Sequence, residues 1–449
     1  MTIKTHIQEN FLLAYPVMFS NLGHVMMGVT DNIMVGHVSA TSLAAAGLAT
    51  VAFNVLMLFG IGVSYAITPL VASADGQGDN DSIVETLRHG FMINLVNGLL
   101  LAGIVYTCKN LLYHIGQPPE VVSLSIPFLS IITFSLIPML IFQTFKQFAE
   151  GLSNTRVALI IVVISNIVNI GLNYILIYGH AGFPAMGLIG AGWATFSSRV
   201  FMALVFAAYI YYAPAFRKFR AGFRLGNYSA KLFHKMLHLG VPSGVQFIFE
   251  VAAFDFSLVM MGWMGTSTQA AHQIAINLAT ISYMTTAGLA AAATIRVSYF
   301  LGRKDLNNLK LAAYTLLIMA LTFMMLCALV FMLGRHWLPG LYVDDREVIS
   351  IASSLLIIAG LFQLSDGTQV VCIAALRGLQ DVKVPSVLIF ISYWIIGLPL
   401  GYWLGFTLGY GANGIWLGLL IGLTLTAIAM FMRFRMLVDR YSWLPEGRH

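Results

Sequence analysis

Twelve apolar runs, each about twenty residues long, recur along this 449-residue chain. A run of that length crosses the roughly 30 Å hydrocarbon core of a bilayer as an α-helix. The spans read as about 11–36, 43–72, 90–112, 123–146, 157–178, 186–212, 237–261, 270–295, 311–333, 348–373, 385–407 and 412–436. Composition agrees, with 59% hydrophobic and 9% charged residues, where soluble proteins carry about 25% charged. The fold class is therefore an all-α polytopic membrane protein. The net charge of +6 does not point to nucleic acid, because the basic residues sit in loops between spans. Cys108, Cys327 and Cys372 lie in or near apolar segments, without CxxC spacing and odd in number, so no disulfide framework is implied. The polar start MTIKTHIQEN runs into a first span too long for the apolar core of a signal peptide, so no cleavable leader is expected.

Lysine and arginine distribution orients the spans. With the N-terminus in the cytoplasm, the inner segments hold twenty of the 24 Lys and Arg, six of them in 213–236. The outer segments hold three: Lys109, Arg335 and Arg346. Both termini are thus expected inside, with the chain in the inner (plasma) membrane.

The two halves repeat. At an offset of 226, Pro16 meets Pro242, Gly36 meets Gly262, Gly62 meets Gly288, Thr68 meets Thr294 and Asp79 meets Asp305. At 227, Gly151 meets Gly378 and Leu152 meets Leu379. Matches in order at one offset argue for duplication into two pseudo-symmetric six-helix lobes, expected at 1–212 and 237–449. Six spans is an even number, so both lobes enter the membrane from the same side. Their pseudo-axis then runs along the membrane normal, a plan transporters use. The basic segment 213–236 reads as a cytoplasmic linker, largely a solvated loop that sets topology, with a character suited to the anionic inner leaflet.

Charge inside the membrane is costly, about 2.5–3.5 kcal/mol at the centre of a helix on insertion scales, and so points to function. Four acids qualify: Asp31 in span 1, Glu250 and Asp255 in span 7, and Asp366 in span 10. Glu250 interrupts the apolar stretch GVQFIFEVAAF, with no Lys or Arg within ten residues on either side. Arg199 lies in span 6, while Lys146, Arg296 and Arg377 stand near span ends, from which they can snorkel to the interface. The second half offers no deep cation to neutralise Glu250 and Asp366. Either these carboxyls are protonated at rest, or a mobile cation joins them; both describe a proton- or sodium-coupled carrier. Asp255 falls 140° around the helix from Glu250, nearer the outer end.

In span 5, Asn166, Asn169 and Asn173 fall at i, i+3 and i+7, one helical face. Asp31 is the deep acid of that half. The amides serve either this acid or helix–helix packing. Pro16, Pro138, Pro242 and Pro399 permit bends, either for gating or as tolerated kinks. His24 and His272 stand alone at apolar positions, where a hydrogen-bonded packing role is the usual one.

The stretches VTDNIMVGH in span 1, AAHQIAINLATISYM and AATIRVSYFLGRKD around span 8, and FQLSDGTQVV with ALRGLQD in span 10 resemble the multidrug and toxic compound extrusion (MATE) family. The resemblance covers essentially the whole chain. Glu250 together with Asp366 in SDG is similar to its NorM-like branch rather than the DinF-like one. The resemblance implies two six-helix lobes in a V around a central cleft. It implies export of lipophilic, mostly cationic drugs against inflow of Na⁺ or H⁺. Glu250 and Asp366 would hold the cation (Na⁺ if that is the driver), with Tyr283 facing it. Asp31, Asn169 and Asn173 match the acid and amides of the family's first-lobe site. Gln273, Asp344 and Asp345 match positions near bound drug in relatives. Asp255, grouped with the coupling acids by its depth, has no counterpart in this pattern.

The expectation is a secondary-active multidrug antiporter, not an enzyme. It needs no cofactor beyond the coupling ion, works as a monomer in the lipid bilayer, and has no nucleic-acid partner. One rival is a flippase for lipids or lipid-linked precursors, which would line its cleft with basic residues for a phosphate. An intramembrane enzyme is a second, for which no HExxH, GxSxG or paired-Asp motif is present. A non-transporting receptor is a third, and it leaves the deep acids unexplained.

Overall fold

The computed structural model describes residues 2–114, 116–224, 226 and 228–441. Residues 442–449, which carry Arg448 of the inner charges, lie outside the described residues. Among those described, twelve helices are long and apolar enough to cross a membrane. They are α1 Ile3–Gly36, α2 Ala40–Gln77, α3 Asn80–His114, α4 Pro119–Gly151, α5 Arg156–Tyr178 and α6 Gly187–Tyr212, then α7 Ala230–Trp263, α8 Thr266–Gly302, α9 Leu306–Gly334, α10 Arg346–Gly378, α11 Lys383–Thr407 and α12 Gly411–Tyr441.

The four prolines have different local consequences. Pro16 and Pro242 lie inside the continuous helices α1 and α7. Pro138 falls in the first turn after a break of α4 at Ser135, where an N–H would have no acceptor within the new helical piece. Pro399 stands in a short α-helical piece of α11, Leu398–Tyr402. Wider π-helical turns, Ile391–Gly397 and Trp403–Thr407, flank that piece.

By packing, the chain forms two compact units, Met1–Met18 with Val245–His449, and Phe19–Gly244. They are not the sequence halves in chain order, because α1 and α7 each divide between units. Each divides two residues after its proline, at positions 226 apart. Glycines that admit close backbone approach explain the exchange. A Cβ on Gly62 of α2 would stand 2.9 Å from the carbonyl oxygen of Ser243 in α7. A Cβ on Gly288 of α8 would stand 2.8 Å from that of Ala14 in α1. Both Cβ positions are closer than real contacts permit, so each glycine seats the first part of the exchanged helix.

The repeat extends to hydrogen bonds. Asp79 caps α3 by accepting from Ser82 N at 3.1 Å, and Asp305 caps α9 by accepting from Asn308 N at 3.0 Å. Thr68 Oγ1 donates to the Gln147 carbonyl at 3.1 Å, and Thr294 Oγ1 to the Ala374 carbonyl at 2.9 Å.

Three readings of charged segments need correction. The segment 213–236 is not mainly a solvated loop. Pro214–Phe223 forms a 3-10 helix that buries Phe216 and Phe219, both within ring contact of Phe148. Arg88 fastens this helix by donating to the Ala221 carbonyl at 3.1 Å, and the chain enters α7 at Ala230. Arg296 does not snorkel. It is buried, ion-paired with Glu9, and donates to His6 Nδ1 at 3.0 Å. His6 therefore presents Nε2–H to Asn308 Oδ1, 3.0 Å away. Lys146 is buried too, 3.8 Å from Glu150 and 3.4 Å from Asn21 Oδ1. In both cases a partner from another helix makes burial cheaper than reaching the interface.

Candidate functional site

Each unit carries a polar cluster around a deep acid named from the sequence. In the unit built mainly from the second half, Glu250 of α7 accepts a hydrogen bond from Gln369 Nε2 of α10 at 2.8 Å. Gln369 Oε1 in turn accepts from Tyr393 OH, in the first π-helical turn of α11, at 3.1 Å. Asp366, almost one turn before Gln369, is buried. It lies within electrostatic range of Glu250, and both acids lie within range of Tyr393. Tyr283 of α8 also lies within range of Tyr393. Helices α7 and α11 are held together by Trp394, whose Nε1 donates to the Phe249 carbonyl at 2.9 Å. Glu250 thus finds its partner 119 residues away. That partner is a neutral amide. Arg377 stands within electrostatic range of Glu250, with its guanidinium 5.9 Å from the Phe247 ring centre.

All the donor atoms gathered here are oxygens and amides, the chemistry of a hard monovalent cation or a proton. Gln363, one turn before Asp366, is fully buried with neither end of its amide partnered among the described residues. It adds unspent polar capacity to the same helix. Asp255 does not join the cluster, because its side chain is exposed on another face of α7.

In the other unit, Asp31 of α1 is held by two donors. Asn173 Nδ2 of α5 reaches Oδ1 at 2.5 Å, and Thr195 Oγ1 of α6 reaches Oδ2 at 2.8 Å. Asn169 Oδ1 accepts from Asn173 Nδ2 at 3.2 Å. Among the described residues Asn169 Nδ2 and Asn173 Oδ1 meet no partner within hydrogen-bond distance, and Asn169 lies close enough to Asp31 to act on it. Asn166 serves packing instead, donating to the Gly23 carbonyl at 2.9 Å. Arg199, one turn after Thr195, lies within electrostatic range of Asp31. Its guanidinium is engaged by Ser135 Oγ at 2.6 Å and stands 5.0 Å from the Phe53 ring centre.

The remaining residues named from sequence are not brought into either cluster. Gln273 is exposed and donates to Asn277 Oδ1 at 3.1 Å. Asp344 and Asp345 are exposed, and Asp345 caps α10 by accepting from Glu347 N at 2.8 Å. His272 accepts from Trp416 Nε1 at 3.0 Å in the core. Gln369, Tyr393 and Thr195 escaped the sequence reading. For Thr195 the available signal was its spacing of one turn from Arg199.

A family profile described as MatE matches the chain twice, over residues 16–175 and 242–403. The chain belongs to the MatE family. The two matches begin 226 residues apart, the offset of the internal repeat. Among curated proteins, the chain is 36% identical over 448 residues to a probable multidrug resistance protein NorM of Rhizobium meliloti, covering 99% of this chain and 96% of that one. It is 34% identical over 426 residues to the multidrug resistance protein MdtK of Photorhabdus laumondii, covering 94% and 93%. Among solved structures, a MATE transporter in the bent conformation superimposes with a TM-score of 0.90 at 20% identity, covering 98% and 96%. The eukaryotic MATE transporter AtDTX14 gives 0.87 at 18% identity, covering 98% of each chain. At such identities the structures speak for the fold alone. The chain is a multi-pass membrane protein, and its curated relatives are named multidrug resistance proteins.

Proposed function

We propose that this chain is a secondary-active antiporter that exports lipophilic, mostly cationic organic compounds in exchange for Na⁺ or H⁺. The observation that carries the proposal is the pair Glu250 and Asp366. Two carboxyls, Asp366 buried and Glu250 partly buried, lie within electrostatic range among the same helices, and the hydrogen-bond partner of Glu250 is a neutral amide. Such a pair is stable when a mobile cation joins it and costly when both groups are ionised and empty. Its cation occupancy can therefore bias which conformation the protein adopts, which is what coupling requires. Glu250 and Asp366 hold the cation, with Tyr283 and Gln369 beside it. Asp31 serves as a second titrating group, cradled by Asn173 and Thr195. In this reading both termini face the cytoplasm and a single chain suffices.

The curated relatives named NorM and MdtK support the drug-export class. A lipid flippase would need basic groups free to meet a phosphate. Of the deep cations of the first half, Arg199 is engaged by Ser135 and Phe53, and Lys146 by Glu150 and Asn21. The test is efflux of a fluorescent organic cation from proteoliposomes, with Na⁺ and pH gradients imposed separately. Efflux driven by one gradient identifies the coupling ion. Efflux indifferent to both would refute the antiport reading.

A further inference from the structure

A pocket of about 530 Å³ opens within the second-half unit, between the end of α7, the starts of α8, α10 and α12, and the end of α11. Its apolar wall is Trp263, Met264 and Phe406, and its polar edge is Thr268, Ser354 and Asn413. None of the acids Glu250, Asp255 or Asp366 lines it, and neither do Gln273, Asp344 and Asp345. Trp263 lies thirteen residues beyond Glu250 along α7, about 20 Å at 1.5 Å per residue.

The backbone holds this space open. Deeper in the bundle, α11 and α12 run in glycine-mediated contact. A Cβ on Gly401 would stand 3.0 Å from the Ile415 carbonyl oxygen, and one on Gly405 3.0 Å from that of Gly411. Beyond that point the chain swings away through Gly409 and Gly411, in left-handed conformations with φ of 76° and 58°. A Cβ on either would meet nothing within 4 Å. The π-helical turn Trp403–Thr407 forms the adjoining wall, and such turns concentrate at functional sites.

The lining states what would fit. Small-molecule sites span about 300–1,000 Å³ with mostly apolar walls and a few polar groups, so this space is far larger than an ion needs. The Trp263 and Phe406 rings are 6.0 Å apart, and Phe406 is 4.9 Å from Tyr402. Aromatic faces in this arrangement attract organic cations. Glu347 is an exposed carboxylate close to the lining but not part of it. It lies one turn before Ile351 of the pocket wall, and it accepts from Ser267, the neighbour of Thr268, at 3.3 Å.

We propose that this pocket is a second binding site, separate from the coupling acids, for a flat aromatic organic cation of drug size. Ethidium titrated into the purified full-length protein in lipid nanodiscs, at equilibrium and without gradients, tests it. Ser354→Trp fills the pocket and should abolish one class of sites. Trp263→Ala, at an exposed position, and Glu347→Gln should each weaken that class roughly three- to tenfold. Asp255→Asn, at an exposed position outside both the pocket lining and the acid cluster, should leave it unchanged. Wild-type isotherms in both Ser354→Trp and Trp263→Ala would overturn the proposal. So would a lower melting temperature in Trp263→Ala with ethidium binding intact, which would make the rings an interfacial anchor only. Displacement of ethidium by a neutral lysophospholipid, with Glu347→Gln silent, would assign the pocket to acyl chains and also overturn it. Because no gradient is used, failure here is distinct from failure of the antiport reading.

Discussion

Replacing Gln369 with leucine isolates what the amide does for Glu250. In the structure Gln369 donates through Nε2 at 2.8 Å and accepts from Tyr393 at 3.1 Å. A hydrogen bond to a charged group contributes about 1.5–3 kcal/mol. On the proposed reading, such a bond is strongest to the ionised carboxylate before a cation joins it, so it stabilises that form of the site. Deleting it destabilises that state relative to the state in which Na⁺ or a proton neutralises Glu250. The cation should therefore bind more tightly, by about 10- to 100-fold at 1.4 kcal/mol per tenfold, and should leave more slowly. The loss of the Tyr393 acceptor costs about 1 kcal/mol in addition, which bears on stability rather than on cation affinity.

The assay is drug efflux from proteoliposomes as a function of the driving cation. Gln369→Leu should lower the half-saturating cation concentration and lower the maximal rate together. The opposite result, a raised half-saturating concentration, would show that the amide oxygen turns to ligate the cation. Gln369 would then be a cation ligand and not a donor to Glu250. Unchanged values for both would remove Gln369 from the coupling site.

Four further outcomes are expected. Glu250→Gln and Asp366→Asn should each insert normally and lose gradient-driven efflux, checked by surface expression beside transport; normal transport in either removes that residue from coupling. Asp31→Asn should lower efflux at every value across roughly pH 6 to 8 if the acid titrates, whereas a mere tether between α1 and α5 would leave the profile unchanged. Ser229→Cys, in a background without native cysteines, should react with impermeant thiol reagents in inverted vesicles and resist them in intact cells. Phe219→Ala should destabilise the protein by about 3–5 kcal/mol, read as a lower unfolding midpoint, because Phe219 is buried against Phe148.

What the sequence made legible was set by the penalty for polarity in lipid. Spans are visible because twenty apolar residues in a row have few other uses, and Glu250, Asp366 and Asp31 are visible because a deep charge is costly. Gln369, Thr195 and Tyr393 are neutral, of types common in membrane helices, and their importance depends on which neighbour each faces. That neighbour lies 119 residues from Gln369 and 164 from Thr195. The buried fates of Arg296 and Lys146 were hidden for the same reason. Local sequence shows an escape route to the interface, but the anchoring groups Glu9, His6 and Asn21 belong to α1. The division of α1 and α7 between units follows from contacts at Gly62 and Gly288, which hydropathy does not register.

The duplication explains why the two clusters are not copies of one another. Carried across the repeat, Glu250 corresponds to His24 at an offset of 226, and Gln369 to Phe142 at 227. The two residues of each pair touch in their own unit. Glu250 and Gln369 share a hydrogen bond, while His24 meets Phe142 edge-on with ring centres 5.6 Å apart. The supporting bond beside each pair has survived as well. Trp394 donates to the Phe249 carbonyl, and Asn166, 228 residues earlier, donates to that of Gly23, both at 2.9 Å. The frame is thus shared between halves while the chemistry at its centre has changed. Where one unit has a carboxylate and an amide, the other has an imidazole and a phenyl ring, with Lys146 and Arg199 within electrostatic range of the imidazole. Positive surroundings of that kind repel a cation. The acid of the first-half unit stands elsewhere, at Asp31, whose counterpart across the repeat is Ser257. On the proposed reading, a cation held in the second-half unit would find no matching carboxyl–amide pair at the repeat-related positions His24 and Phe142 of the other unit. Asp31 has a different set of partners, Asn173 and Thr195, so on the proposed antiport reading the two units would contribute unequally to any exchange of ion for drug.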